Sequence, residues 1–145
     1  MKKITPFLWF DKQAEEAMNY YVSVFKNSKV INASPQMVQF ELDGQEFIGL
    51  NAGPQYKFNE AVSMFVNCED QAEVDYFWDK LSAVPEAEQC SWCKDKFGLS
   101  WQIVPKQLGE LMSDPDPKKS QRVVQAMLKM KKIVVADLQK AHDEE

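Results

Sequence analysis

Residues 4–25, ITPFLWFDKQAEEAMNYYVSVF, and residues 61–82, AVSMFVNCEDQAEVDYFWDKLS, read as two copies of one unit. Each opens on a short apolar segment, passes an acidic turn, repeats the tripeptide Gln-Ala-Glu and continues into an aromatic-rich segment. Gln13 falls on Gln71, an offset of 58 residues. In the first copy Ala14, Ala17, Met18, Tyr21, Val22 and Phe25 recur at three- and four-residue steps, while Glu15, Glu16 and Asn19 face away. That is the spacing of an amphipathic helix. Asp11 is its expected N-cap, and acids in its first turn suit the helix dipole. In the second copy Ala72, Val74, Phe77, Trp78 and Leu81 form the expected buried stripe, behind the acidic start at Glu69 to Glu73.

Outward from each helix the pattern turns to strands. Residues 28–36 are a weak strand. Val38, Phe40 and Leu42 alternate with Gln39 and Glu41, and Asp43-Gly44 then turns the chain into residues 45–51. Asp-Gly between alternating runs is a strong hairpin signal, because both positions tolerate positive φ. In the second copy residues 88–94 and 99–104 make a hairpin around residues 95–98. The order is strand, helix, then two or three strands, twice over. One such unit cannot cover its own sheet. The expected fold is therefore α+β: two β-α-β-β-β modules forming a curved mixed sheet with a central cleft, plus C-terminal helices. The modules occupy about 1–56 and 57–112 of a domain spanning 1–112, and residues 113–145 are a helical tail of the same domain.

The tail begins at Ser113-Asp114-Pro115-Asp116-Pro117, where Asp116 reads as N-cap and Pro117 as first helical residue. Ser120, Val123, Val124, Met127, Leu128 and Lys131 then keep helical spacing, with Lys118, Lys119, Arg122 and Lys129 on the wet side. A short last helix is expected over residues 136–141. The only histidine, His142, is expected to be a solvated helix residue.

The 145 residues carry a net charge of −5 and 45% apolar residues. That suits one globular domain, which buries roughly 70% of the surface of its unfolded chain. It argues against nucleic acid, which requires a concentrated basic face. No run approaches the ~20 apolar residues of a membrane span. The lysines and apolar residues of MKKITPFLWFD stop at Asp11 without a cleavage pattern, so the expected location is cytoplasmic. Three cysteines, an odd number, read as free thiols. Cys90 and Cys93 form a C-x-x-C, but in a strand such residues point to opposite faces about 10 Å apart, too far for a disulfide. Zinc would need two further ligands, and only Cys68 is another thiol. Lys94 and Lys96 leave some reactivity open to Cys93.

The doubled module resembles the vicinal oxygen chelate superfamily of glyoxalases, bleomycin-resistance proteins and extradiol dioxygenases. FDKQAEEAMNYYVSVF, FELDGQEFIGLNAGP, FNEAVSMFVNCEDQAEV, KDKFGLSWQIVPKQLGELMSDPDP and QRVVQAMLKMKK are similar to its PhnB-like branch, which is often labelled demethylubiquinone methyltransferase-like. The label does not carry methyl transfer with it. A common-class SAM enzyme needs a glycine-rich turn after its first strand, and here that strand runs into Asp11-Lys12-Gln13.

The resemblance implies cleft positions for His and Glu metal ligands. The first strand offers none, Ala61 and Ser63 stand where a His is expected, Asn51 lies late in its strand, and Gln102 stands where Glu is usual. No metal and no cofactor are therefore expected. By analogy Gln102 faces the cleft, Trp101 packs beneath the helices, and Ala61, Ser63 and Phe65 share the cleft face. Trp9 and Trp92 are further candidates whose faces the pattern does not fix. The expected ligand-binding set is Trp9, Asn51, Ser63, Phe65, Trp92 and Gln102, apolar with a few orienting polar groups, as a small organic ligand requires.

Three functions fit. One is a small-molecule-binding protein like the drug-resistance members. Another is an enzyme with no assignable catalytic residue, which would use a metal held by Glu41 or Glu46, or Gln102 and Asn51 to polarise a carbonyl. The third is a non-catalytic interaction module. The resemblance implies a homodimer in each case.

Overall fold

Asp43 and Gly44 have φ of 49° and 80°, both left-handed, so this turn is the two-residue hairpin its sequence predicts. It joins β3 (Met37–Leu42) to β4 (Gln45–Asn51). The structure, a computed structural model, describes residues 2–144. It is an α+β chain of two compact units, Met1–Phe58 and Asn59–Glu145.

The first unit is a complete module: β1 (Phe7–Phe10), α1 (Ala14–Val24), β2 (Lys29–Ala33), β3 and β4. Its sheet runs β1-β4-β3-β2, with β1 parallel to β4 and the other pairs antiparallel. α1 buries Ala14, Ala17, Met18, Tyr21 and Val24, and the sheet answers with buried Leu8, Phe10, Val38, Phe40 and Phe47. Gly49 lies directly beneath the helix: a Cβ there would stand 2.9 Å from Val38 and 3.5 Å from Ala14. The absence of a side chain lets α1 approach the sheet.

Asp11 does not cap α1. Its N-cap is Gln13, whose side chain makes no capping bond, and Asn51 at the end of β4 caps from a distance, its Oδ1 accepting from Ala14 N at 2.9 Å. A partner 37 residues away satisfies the orphan donor that a local side chain would otherwise serve.

The second unit holds β5 (Ser63–Cys68), α2 (Gln71–Leu81), β6 (Trp92–Lys94) and β7 (Ser100–Pro105), in a sheet ordered β5-β7-β6. It has two strands after its helix where the first unit has three. Pro85 opens a 3-10 turn over Pro85–Ala87 instead, because proline fixes φ and lacks the donor that a ladder needs. The repeat survives: the offset of 58 carries Phe10, which ends β1, onto Cys68, which ends β5. α2 is capped locally, with Asp70 Oδ1 accepting from Glu73 N at 3.0 Å. Val74 and Leu81 are its buried residues, whereas Ala72 is exposed and Phe77 and Trp78 are half-buried.

The tail belongs to the second unit. α3 (Lys106–Met112), α4 (Pro117–Leu128) and α5 (Val135–Asp143) close a core of Val104, Leu108, Val123, Ile133 and Leu138. Asp116 Oδ1 accepts from Lys118 N, as the Asp-Pro start predicts. Leu128 is 52% exposed rather than buried. The segment between α4 and α5 is fastened twice. Gln71 donates to Ile133 O at 2.9 Å and accepts from Val135 N at 2.7 Å, and Cys90 N and Ser91 N donate to Met130 O and Lys131 O at 2.7 and 3.0 Å.

His142 is not solvated. Its side chain is 14% exposed and lies 2.8 Å from both Asp114 Oδ2 and Asp143 Oδ1. Arg122, expected on the wet side, donates to Ala141 O and His142 O at 2.9 and 3.0 Å. The hydrogen bonds to Asp143 and Asp114 raise the His142 pKa above its ordinary 6.5. Asp114 is lowered below 3.8, chiefly by the Asp116 backbone N–H and then by His142; Asp143 is lowered chiefly by His142. A raised base stabilises fully below its unfolded value and loses that contribution as pH climbs through the folded value; a lowered acid does so in reverse. The latch is therefore strongest between about 3.8 and 6.5. As pH rises out of that window, the thermal midpoint is expected to fall more steeply for the wild type than for His142→Gln. Parallel pH profiles would show that the imidazolium contributes nothing.

Candidate functional site

In the second unit α2 covers one face of the sheet, over Cys93, Trp101 and Ile103, all buried. The other face carries the alternate residues, since neighbouring side chains along a strand point to opposite sides. β5 and β7 pair Phe65 with Gln102 and Ser63 with Ser100. β6 and β7 pair Trp92 with Gln102 and Lys94 with Ser100. Two rows thus cross the sheet, Phe65–Gln102–Trp92 and Ser63–Ser100–Lys94.

Four of the six expected site residues, Ser63, Phe65, Trp92 and Gln102, share this face. Gln102 Nε2 donates to Ser63 Oγ at 3.0 Å. A hydroxyl that accepts this bond keeps its own proton to donate, and the Gln102 carbonyl remains an acceptor. Phe65 is 59% exposed. Ser100 Oγ is buried with no hydrogen-bond partner in the structure. The Lys94–Glu60 ion pair, 2.8 Å, runs from β6 to the segment before β5, on the other side of β7. Ser100 stands two residues before Gln102 on β7 and so shares its face; its unmet hydroxyl is visible only in three dimensions.

Trp9 and Asn51 belong to the first unit, on opposite faces of its sheet. Trp9 pairs with Leu50 on the face away from α1, donates from Nε1 to Gly53 O at 2.9 Å, and meets Tyr56 edge-on at 5.0 Å. Asn51 pairs with Phe10 on the α1 side, and its Nδ2 donates to Pro35 O at 3.0 Å while Oδ1 caps α1. Its amide is committed to the fold, not placed to polarise a carbonyl. The symmetry explains the difference. Phe7 pairs with Ile48 where Phe65 pairs with Gln102, so the first unit has an aliphatic residue at the Gln102 position.

Ser63 and Gln102, at positions where the resemblance implies ligands, are neutral and bonded to each other. Glu41 and Glu46 stand directly opposite on β3 and β4, and Glu46 Oε2 is buried without a partner. Two carboxylates fall short of a divalent site. Among the described residues no group of three His, Cys, Asp or Glu could hold an ion. The donor set does not fit a metal.

C-x-x-C straddles a tight turn instead of lying in a strand. Cys90 and Ser91 have φ of 35° and 80°, and Gln89 and Trp92 exchange backbone hydrogen bonds across them. The tail carbonyls of Met130 and Lys131 hold this left-handed pair and so orient Trp92. Cys93 is not activated by Lys94 or Lys96. It points to the α2 side, and burial, then Asp95 and Glu88, push its thiol up to about 12. Burial and then Glu73 do the same for Cys68, also to about 12. Thiolate is the nucleophile. In native protein near neutral pH, a thiol reagent is therefore expected to label Cys90 alone, with Cys68 and Cys93 reacting after unfolding. Rapid native labelling of Cys93 would overturn this.

A family model described as 3-demethylubiquinone-9 3-methyltransferase matches residues 2–104. The SDPDP and QRVVQAMLKMKK segments therefore lie beyond its match. A PhnB protein from Bacillus cereus is 32% identical over 72% of this chain and 99% of its own, with a TM-score of 0.60. A Pseudomonas aeruginosa protein (18% identity, 72% and 98% coverage, TM-score 0.52) and an Arabidopsis thaliana gene product (18%, 70% and 97%, 0.51) share the fold. No curated protein matches.

Proposed function

We propose, from the premise that the chain belongs to the PhnB-like family labelled 3-demethylubiquinone-9 3-methyltransferase, within the vicinal oxygen chelate superfamily, that it binds a small organic molecule on the second-unit sheet face, without metal and without methyl transfer. One observation carries the reading: the Ser63–Gln102 pair, flanked in register by Phe65 and Trp92. Aromatic surface supplies burial, and one hydroxyl and one amide supply orientation, the usual division of labour in a ligand site. The neutral pair stands where ligands to a metal would be needed. β1 leads into α1 through Asp11-Lys12-Gln13, a connection with none of the glycines that would let the backbone pack close against SAM after the first strand.

The test has two parts. Elemental analysis after exposure to Mn, Fe, Co, Ni and Zn and removal of excess ion is expected to find far less than one ion per chain; a ratio near one overturns the metal-free reading. A thermal-shift screen of small aromatic compounds is expected to give hits whose shift disappears in Gln102→Leu and Phe65→Ala. Hits that survive both substitutions place the ligand elsewhere.

The same reading makes the protein a cytoplasmic homodimer. Phe7 (54% exposed) and Met37 (49%) in the first unit are apolar surface that a second copy would cover, and the three cysteines are free thiols. No helix among the described residues is long and apolar enough to cross a membrane. Sedimentation equilibrium is expected to give twice the chain mass, and a monomer at micromolar concentration would rule the dimer out.

A further inference from the structure

We infer that the groove between α4 and the end of α5 is a second binding site, and that its ligand is a small polyanion carrying at least two carboxylate or phosphate groups. The groove has a volume of about 580 Å³, and its lining includes Lys118, Gln121, Arg122, Gln125, Lys129 and Glu144. Every one of these residues lies beyond residue 104, where the family match ends, so the sheet-face site does not account for it.

The lining is ordered. Lys118, Gln121, Arg122, Gln125 and Lys129 recur at helical steps, so they form one stripe along α4. All five carry hydrogen-bond donors. Among the described residues none of the three cations forms an ion pair, in a chain whose net charge is −5. At 1.5 Å per residue, Lys118 and Arg122 stand about 6 Å apart along the axis and Arg122 and Lys129 about 10 Å. A single small anion cannot meet all three, whereas a molecule with separated anionic groups can.

Arg122 is pre-set. Nε and one terminal nitrogen are held by the carbonyls of Ala141 and His142, which fixes the planar fork before a ligand arrives and reduces the ordering cost on binding. The nearby acids are engaged: Asp114 and Asp143 both bond His142. Glu144 is the one carboxylate in the lining. The volume falls in the range of small-molecule sites, roughly 300–1,000 Å³.

Isothermal titration of the full-length chain with inorganic tripolyphosphate at low salt tests the inference. One site per chain is expected, weakened by added salt as charge attraction is screened. Affinity should fall at least tenfold in Lys118→Glu/Lys129→Glu, whose side chains are exposed and leave the core intact. It should hold within about twofold in Lys12→Glu/Lys57→Glu, which makes the same change of net charge at exposed positions of the first unit. Arg122→Lys, keeping charge but losing the fork, should bind several-fold more weakly. Absence of binding at millimolar tripolyphosphate overturns the inference. So does equal loss in the two double variants, or binding of acidic peptides with no response to tripolyphosphate. Because the sheet-face ligand is followed through Gln102→Leu, failure here leaves that reading untouched.

Discussion

Asp95→Ala is expected to lower stability by about 3–5 kcal/mol, because it removes the acceptor of three hydrogen bonds at a buried site, each unmet donor costing roughly 1–3 kcal/mol. Asp95 is 1% exposed. Its Oδ1 accepts from Phe97 N and Leu99 N at 2.8 and 3.0 Å, and Oδ2 accepts from Trp101 Nε1 at 2.8 Å. The carboxylate thus shapes the turn between β6 and β7 and holds the large buried ring beneath the sheet. Alanine would leave these donors without their acceptors. Asp95→Asn should lie between, because an amide nitrogen cannot accept from the indole. Urea unfolding monitored by tryptophan fluorescence measures the loss. A change under about 1 kcal/mol for Asp95→Ala, below even one unmet donor, would show that water or rearrangement replaces the carboxylate.

Leu138→Ala should cost about 2–5 kcal/mol, the transfer loss plus the cavity in a fully buried site. Leu138 is 0% exposed and packs with Val104 of β7, Leu108, Val123 and Ile133. Because Val104 belongs to the sheet, the loss should reach β7 as well as α5. Hydrogen exchange is expected to show faster exchange in both. Faster exchange confined to α5, with the midpoint unchanged, would show that the tail is an independent appendage.

What the sequence made legible was local. The 58-residue repeat, the Asp43-Gly44 hairpin and the Asp116-Pro117 helix start each depend on neighbours along the chain, and each appears in place. What it hid depends on distant partners. Asn51 looked like a cleft residue, but Ala14, 37 residues away, claims its oxygen. His142 looked solvated because its partner Asp114 is 28 residues away. Arg122 looked wet because the carbonyls that hold it belong to another helix. Within the site, alternation grouped residues along each strand, and the resemblance said which group faces the cleft; Ser63 and Gln102 do share one face. Alternation could not face Trp92, since a left-handed turn at Cys90–Ser91 resets the pattern just before it. Non-glycine residues enter that conformation at a cost of order 1–3 kcal/mol, when the surroundings over-determine it; here the tail does so.

β2 carries its own guard against edge-to-edge pairing. It is the outermost strand of its sheet, all five residues are exposed, and Val30 and Ile31 present β-branched side chains to solvent. A straight strand of that kind would recruit another by its unpaired main-chain groups. The register slips between Val30 and Asn32, leaving Ile31 as an extra residue. Such a bulge bends the strand and breaks the even spacing of donors and acceptors. Lys29 sets a charge at its start. The sheet therefore ends at four strands by construction, its exposed margin shaped so that it refuses a fifth.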